Sequence, residues 1–298
     1  MAPPTAKLGF VGLGHMGGNM AARLLASGFT VYGEAGHRQG ADELIQEGLT
    51  WCDNPRAVAE SADVVFSSLP DDIVLQEVAS APDGILAGLS EGKTWVEMST
   101  VSPRVSRGIA QQAAEKDARM LDAPVSGSVP QVQSGTLTIM VGGDRAAYER
   151  VEPILRELGT PNYIGDNGQG LALKLAINIS LAVQMLAFSE GLLLAERSGV
   201  DLQRALDVME SSAIASPMLR ARASLIVDPP ADAWFDIRFM RKDIELALAV
   251  ARQLQIPLAS AASADAMLEK AIELGYGRRD LAALFRALEG IADGGADG

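Results

Sequence analysis

Residues 7–28 read KLGFVGLGHMGGNMAARLLASG, and the order of features in that stretch decides the fold. A short apolar run ends in Gly12. Glycines at 12, 14 and 17 then stand in GxGxxG spacing, ahead of apolar residues that recur at helical intervals. That is strand, turn, helix. Each glycine has its own reason in a dinucleotide site: Gly12 permits the tight turn, Gly14 lets backbone approach a pyrophosphate, and Gly17 lets the helix lie close on the strand. The amides of Leu13, His15 and Met16 at the helix N-terminus complete an anion cradle. The spacing alone is a weak signal. A further strand beginning at residue 29, where a βαβ unit needs one, favours it over a glycine turn with no ligand.

Working outward, the pattern predicts a second strand over 29–34, a second helix over 40–47, a third strand over 63–69 ending at Pro70, and another strand over 94–98. A helix over 103–118 follows, then strand segments at 120–125 and 137–141. This alternation predicts an α/β fold, with a doubly wound Rossmann sheet in residues 1–165. From Gly170 the character changes, because nearly thirty positions hold no proline and are apolar on most faces. Lys174, Asn178, Gln184 and Glu190 interrupt this run at costs that an isolated spanning helix would not bear. It is therefore expected as a spine helix between two domains, covered by a second subunit rather than by lipid. Helices over 201–209, 217–226, 238–254, 260–274 and 280–291 make 166–298 an all-helical second domain, with a Gly/Asp-rich tail expected to fray.

The chain of 298 residues carries 38 acidic against 25 basic side chains, a net charge of −13, which argues against a nucleic-acid partner. With 48% apolar and 21% charged residues it falls in the range of soluble globular enzymes. The single Cys52 has no partner for an intramolecular disulfide, and the N-terminus lacks a charged segment followed by an apolar one, so a cytoplasmic setting is expected. His15 and His37 stand in no metal-ligand spacing, and no metal is expected.

Two readings stay open for the residue that meets the adenosine ribose. Glu34 at the end of the second strand suits the free hydroxyls of NAD, whereas Arg38 with His37 suits the 2′-phosphate of NADP. Further on, Lys174 precedes Asn178 by four residues, so the two share one helix face. Such a pair suits a carbonyl substrate, with the lysine moving the proton and the amide orienting. The competing reading is a lysine snorkelling to water. Ser126 and Gly127, with Ser128 beside them, follow a strand in a turn that suits a small carboxylate; taken alone they read as an ordinary loop.

Together these residues resemble the 3-hydroxyisobutyrate (β-hydroxyacid) dehydrogenase family, which includes tartronate semialdehyde and glyoxylate/succinic semialdehyde reductases and is similar to 6-phosphogluconate dehydrogenase. The resemblance runs through GFVGLGHMG, Leu69-Pro70, EMST at 97–100, DAPVSG, the Gly170, Lys174, Asn178 spacing and FMRKDIELAL at 239–248. It implies an N-terminal Rossmann domain, an all-α domain joined to it by a long helix, and an active site in the cleft between them. It implies an NAD(P)-dependent oxidoreductase that interconverts a small β-hydroxy acid and its semialdehyde or keto form. NADP is the expected cofactor and NAD the alternative, and the chain is expected as a homodimer or homotetramer. Carried over, Lys174 is the acid/base and Asn178 its orienting neighbour, while Ser126, Gly127 and Ser128 hold the substrate carboxylate. Leu69, Pro70 and Thr100 line the nicotinamide half of the cofactor site, and Lys242 reaches it from the second domain; Asp243 is expected to be structural.

The sequence departs from the family in two places. Gly127-Ser128 stands for the usual double glycine, a variant associated with the glyoxylate and semialdehyde reductases. Ala35-Gly36 falls where the family has Asp or Asn followed by Arg. The alternatives are an imine-reductase-like enzyme and a non-catalytic binding or dimerisation relative. Lys174 counts against both, and Ile177, where 6-phosphogluconate dehydrogenase has histidine, counts against that enzyme.

Overall fold

The computed structural model describes residues 6–36 and 41–294. The chain forms two compact units, one ending at Lys174 and the other beginning at Leu175. In the first unit the order is β1 (Lys7–Val11), α1 (His15–Ala26), β2 (Thr30–Glu34), α2 (Asp42–Gln46), β3 (Thr50–Trp51), α3 (Pro55–Ser61), β4 (Val64–Ser67), α4 (Asp72–Ser80), α5 (Ile85–Gly88) and β5 (Thr94–Glu97). It continues through α6 (Pro103–Ala114), β6 (Arg119–Asp122), β7 (Val125–Ser126), α7 (Val129–Ser134), β8 (Leu137–Gly142), α8 (Arg145–Leu158) and β9 (Gly159–Gly165).

The strands join in the order β3-β2-β1-β4-β5-β6-β8-β7, with β9 also paired to β8. The first six run parallel in the 3-2-1-4-5-6 arrangement of a doubly wound dinucleotide fold, whose direction reverses between β1 and β4. Alternation along each strand sorts side chains to two faces. Leu8, Phe10, Phe66, Val96 and Leu121 pack on the α1/α8 side, while Val11, Val65, Trp95 and Met120 pack with Val58, Ile85 and Ile109 from α3, α5 and α6.

Several elements differ from the sequence reading. The strand expected over 120–125 stops at Asp122, because Pro124 has no N–H to continue the ladder, and the chain turns into β7, antiparallel to β8. The helix expected to reach 118 stops at Ala114, and Asp117 takes a left-handed backbone with φ 56°. β3 is two residues long, too short to display an alternation, and β9 contains Pro161, which is tolerated where the strand pairs on one side only; its buried positions alternate over 159–162, but they are Gly159 and Pro161, residues that read as a turn in sequence. The short helices α3, α4, α5 and α7 and the 14-residue α8 also lie outside that reading.

A helix of 29 residues, α9 (Gln169–Arg197), leads into the second unit. There follow α10 (Leu202–Ser211), α11 (Pro217–Val227), α12 (Ile237–Leu254), α13 (Ala259–Glu273), a 3-10 turn and α14 (Leu284–Gly294). By length and composition α9 is apolar enough to cross a membrane, but Met185, Phe188 and Leu192 are core residues of the helical unit, packed among Ile237, Ile244, Leu268 and Phe285. In the tail expected to fray, Ile291–Gly294 close α14; residues 295–298 lie outside the described residues.

Candidate active site and dinucleotide cradle

The glycine turn stands at the carboxyl end of β1, where the sheet reverses direction. Gly12 has φ +88°, and a Cβ on it would lie 2.4 Å from the carbonyl oxygen of Ser68. A Cβ on Gly17 would lie 2.0 Å from the carbonyl oxygen of Gly12. The chain's own packing therefore requires both glycines. Gly14 is different, because nothing lies within 4 Å of the place its Cβ would take. It is exposed, it is the N-cap of α1, and no side chain caps the helix. The N-terminal amides of α1, with exposed His15 and half-buried Met16, are left to an external acceptor. Leu13 is buried beneath them. Open space over uncapped amides fits a pyrophosphate.

Beside this turn is a cavity of about 350 Å³, lined by Gly12, Glu34, Gly36, Leu69, Val74 and Asp83 among others. Glu34 thus faces the space next to the turn, and burial, helped by the charge of Asp83, raises its carboxyl above the usual range. Arg38 and His37, the rival readers of the ribose, lie outside the described residues. Leu69, half-buried, and Pro70, exposed, follow β4; Thr100 follows β5 and is half-buried. Those two loops leave neighbouring strands at the same edge of the sheet.

Lys174 is buried at 8% exposure, in the first turns of α9. What places it is Asp122, at the carboxyl end of β6. Its two carboxylate oxygens accept from the amides of Gly168 at 2.6 Å and Leu171 at 3.0 Å, fastening the start of α9 to the edge of the sheet that carries the glycine turn. Burial raises the Asp122 carboxyl, and these two amide bonds pull it back. Gly170 is glycine for this contact, since a Cβ there would lie 2.4 Å from the Met140 carbonyl oxygen and 2.9 Å from Asp122. Asp122 went unrecognised in the sequence because DAPVSG directs attention to its serine. The signal available was a lone acid ending an apolar strand.

Ser126 is half-buried at the end of β7, and Gly127 is exposed with φ +130°. The Ser128 N–H and hydroxyl both donate to Gln131 Oε1, at 2.9 and 3.1 Å, so this serine is engaged in starting α7. In the helical unit, Asn178 is fully buried and its Nδ2 donates to Asp243 Oδ2 at 2.6 Å. Lys242 Nζ pairs with Asp243 Oδ1 at 2.9 Å. Asp243 thus fixes the two residues of this unit that the sequence singled out.

A glycine turn of this form, at the reversal point of a parallel sheet and with a buried lysine on a helix tied to the same edge, defines a nicotinamide-dinucleotide oxidoreductase. Residues 7–168 match the family described as the NAD-binding domain of 6-phosphogluconate dehydrogenase, and residues 168–288 that described as the NAD-binding domain of NADP-dependent 3-hydroxyisobutyrate dehydrogenase. The chain is 34% identical to 2-(hydroxymethyl)glutarate dehydrogenase of Eubacterium barkeri, over 95% of each chain. It is 35% identical to 2-hydroxy-3-oxopropionate reductase of Escherichia coli, over 96% of this chain and 98% of that one. A 3-hydroxyisobutyrate dehydrogenase structure from Salmonella typhimurium superposes with a TM-score of 0.86 at 28% identity, covering 94% of this chain and 99% of that one. The chain belongs to the 3-hydroxyisobutyrate dehydrogenase family and is an NAD(P)-dependent oxidoreductase of CH–OH groups. This membership favours the hydroxyacid reading over imine reduction and over a non-catalytic module.

Proposed function

We propose that the protein reduces a small carboxylate-bearing semialdehyde or keto acid to its hydroxy acid, reversibly, with Lys174 as the acid/base. The observation that carries this reading is the burial of Lys174 on a helix start fastened by Asp122 to the sheet edge of the glycine turn. When bound, the dinucleotide supplies or accepts the hydride. Lys174 gives a proton to the oxygen that becomes the alcohol and takes it back in oxidation. Asn178, one helical turn on and fixed by Asp243, orients the same oxygen, and Ser126 with the Gly127 backbone holds the carboxylate. The α1 amides and Gly14 hold the pyrophosphate, while Leu69, Pro70, Thr100 and Lys242 complete the cofactor's surroundings.

NADPH is the proposed reductant, supported by the NADP-dependent family that matches the second half of the chain. NADH is the second reading, favoured by Glu34, Glu77 and Asp83 in the lining of the cavity beside the glycine turn, where three carboxylates oppose a 2′-phosphate. The test is oxidation of NADPH and NADH against a panel of small semialdehydes and keto acids. Turnover that depends on substrate and is lost in Lys174→Ala supports the reading; silence across the panel with cofactor still bound overturns it. A homodimer or homotetramer is proposed as well, because the apolar helix α9 leaves Leu173 40% and Leu194 71% exposed. Light scattering that returns the monomer mass at micromolar concentration would contradict that assembly.

A further inference from the structure

Inside the first unit a carboxylate that the proposed reaction does not use lies under the two loops of the nicotinamide half of the site. Glu97 ends β5 and is fully buried. Its Oε1 accepts from the Ser99 N–H at 2.6 Å, and its Oε2 accepts from the Ser67 hydroxyl at the end of β4. Ser67 Oγ in turn accepts from the Trp95 indole N–H at 2.7 Å. Ser99 passes the connection on, because its Oγ accepts from the Leu69 N–H at 2.6 Å. A second bond, from the Ser102 N–H to Asp72 Oδ1 at 2.7 Å, joins the same pair of loops further out. The β4 and β5 loops, which carry Leu69-Pro70 and Thr100, are therefore held to each other by a chain of bonds that starts at one buried acid.

We propose that Glu97 is a positioning residue of the cofactor site, holding Ser99, and through Ser99 the backbone of Leu69, so that the two loops meet the dinucleotide in one fixed arrangement. The proposal rests on the dinucleotide reading above. A fully apolar residue would suffice if this position only filled the core; a carboxylate is an expensive choice there unless its acceptor capacity is used. Here both oxygens are used, one on each loop-bearing strand. Ionised, Glu97 makes charge-assisted bonds to both donors. Once protonated, it binds the Ser99 amide only as a neutral acceptor. Burial pushes its carboxyl up to about 7, so the two forms exchange near neutral pH. The ionisable group acting on it from the neighbouring strand is Asp122, its register partner on β6, which raises it further; β4 presents only the Ser67 hydroxyl at this level, and the loop beyond β4 contributes Asp72.

The test is fluorescence titration of NADPH and NADH into wild type, Glu97→Gln and Ser99→Ala between about pH 6 and 9, together with hydrogen exchange at the Leu69 amide of the protein without nucleotide. Wild type is expected to bind either nucleotide more tightly as pH rises through about 7. Glu97→Gln is expected to lose that dependence and to bind roughly tenfold more weakly at the alkaline end, the worth of one charge-assisted bond. Ser99→Ala, the milder change, is expected to speed exchange at Leu69 and weaken binding by a similar factor. Wild-type affinity and pH profile in Glu97→Gln, or unchanged Leu69 exchange in Ser99→Ala, overturns the role of Glu97. A wild type that binds neither nucleotide overturns the dinucleotide reading instead, and the assignment of this network to a cofactor site falls with it.

Discussion

Two side chains carry separable parts of the chemistry at the scale of single residues. Lys174→Ala is expected to lower kcat by about 10²- to 10⁴-fold, the usual worth of a positioned acid/base, while leaving the dissociation constant of NADPH within a few-fold of wild type. Stopped assays and fluorescence titration on the same preparation separate the two effects. Glu34→Gln acts on cofactor choice, because removing a carboxylate from the cavity beside the glycine turn relieves repulsion of a 2′-phosphate and leaves NADH little affected. The NADPH-to-NADH affinity ratio is expected to rise about fivefold at low ionic strength and less at high salt. An unchanged ratio would remove Glu34 from the ribose end of the site. Lys174 was legible in the sequence because its spacing to Asn178 is helical and its surroundings are apolar. Glu97 and Asp122 were not, since a single acid at the end of an apolar strand looks alike whether it faces solvent or is buried.

The glycine turn makes the clearest contrast at the scale of elements. Gly17→Ala drives a methyl against the Gly12 carbonyl, 2.0 Å from where the Cβ must sit, so a loss of about 3 kcal/mol or more of stability is expected in urea melts. Gly14→Ala meets nothing within 4 Å and is expected to melt like wild type, yet to bind nucleotide roughly tenfold more weakly because the methyl occupies the approach to the α1 amides. Equal stability losses in the two variants would show that Gly14 serves packing, not a ligand. Elements with a regular local pattern were readable from sequence, among them β1, β4, β8, α9 and α12, although the 14-residue α8 was not. The two residues of β3, the proline-bearing β9 and the break at Pro124 were not, because their pairing depends on strands far along the chain.

At the scale of the whole molecule, the buried acids set how stability depends on pH. Glu97 is raised from its ordinary 4.5 to about 7, so the folded protein holds a proton that the unfolded chain releases between those values. Stability from this group is fully present below about 4.5 and is lost as pH rises through about 7, by on the order of 3 kcal/mol. Glu34 and Asp122 are raised in the same direction. Urea midpoints of wild type are therefore expected to fall between about pH 5 and 8, and Glu97→Gln to flatten the Glu97 share of that fall. Parallel curves for the two proteins would show that Glu97 does not titrate in this window.

The class of fold, the change from alternating strands and helices to helices alone, the place of the glycine turn and the pairing of Lys174 with Asn178 are all legible in the order of amino acids. Those properties are local: a turn, a period of 3.6 or 2, a spacing of four along one helix. Long-range packing sets the rest: Gly14 is open while Gly12 and Gly17 are required by their neighbours, Asp122 fastens the helix bearing Lys174, Asp243 holds both Asn178 and Lys242, and Glu97 binds two loops together. Each of these rests on atoms from segments distant in sequence meeting out of water, where an acceptor's value is set by its burial and by which donors face it.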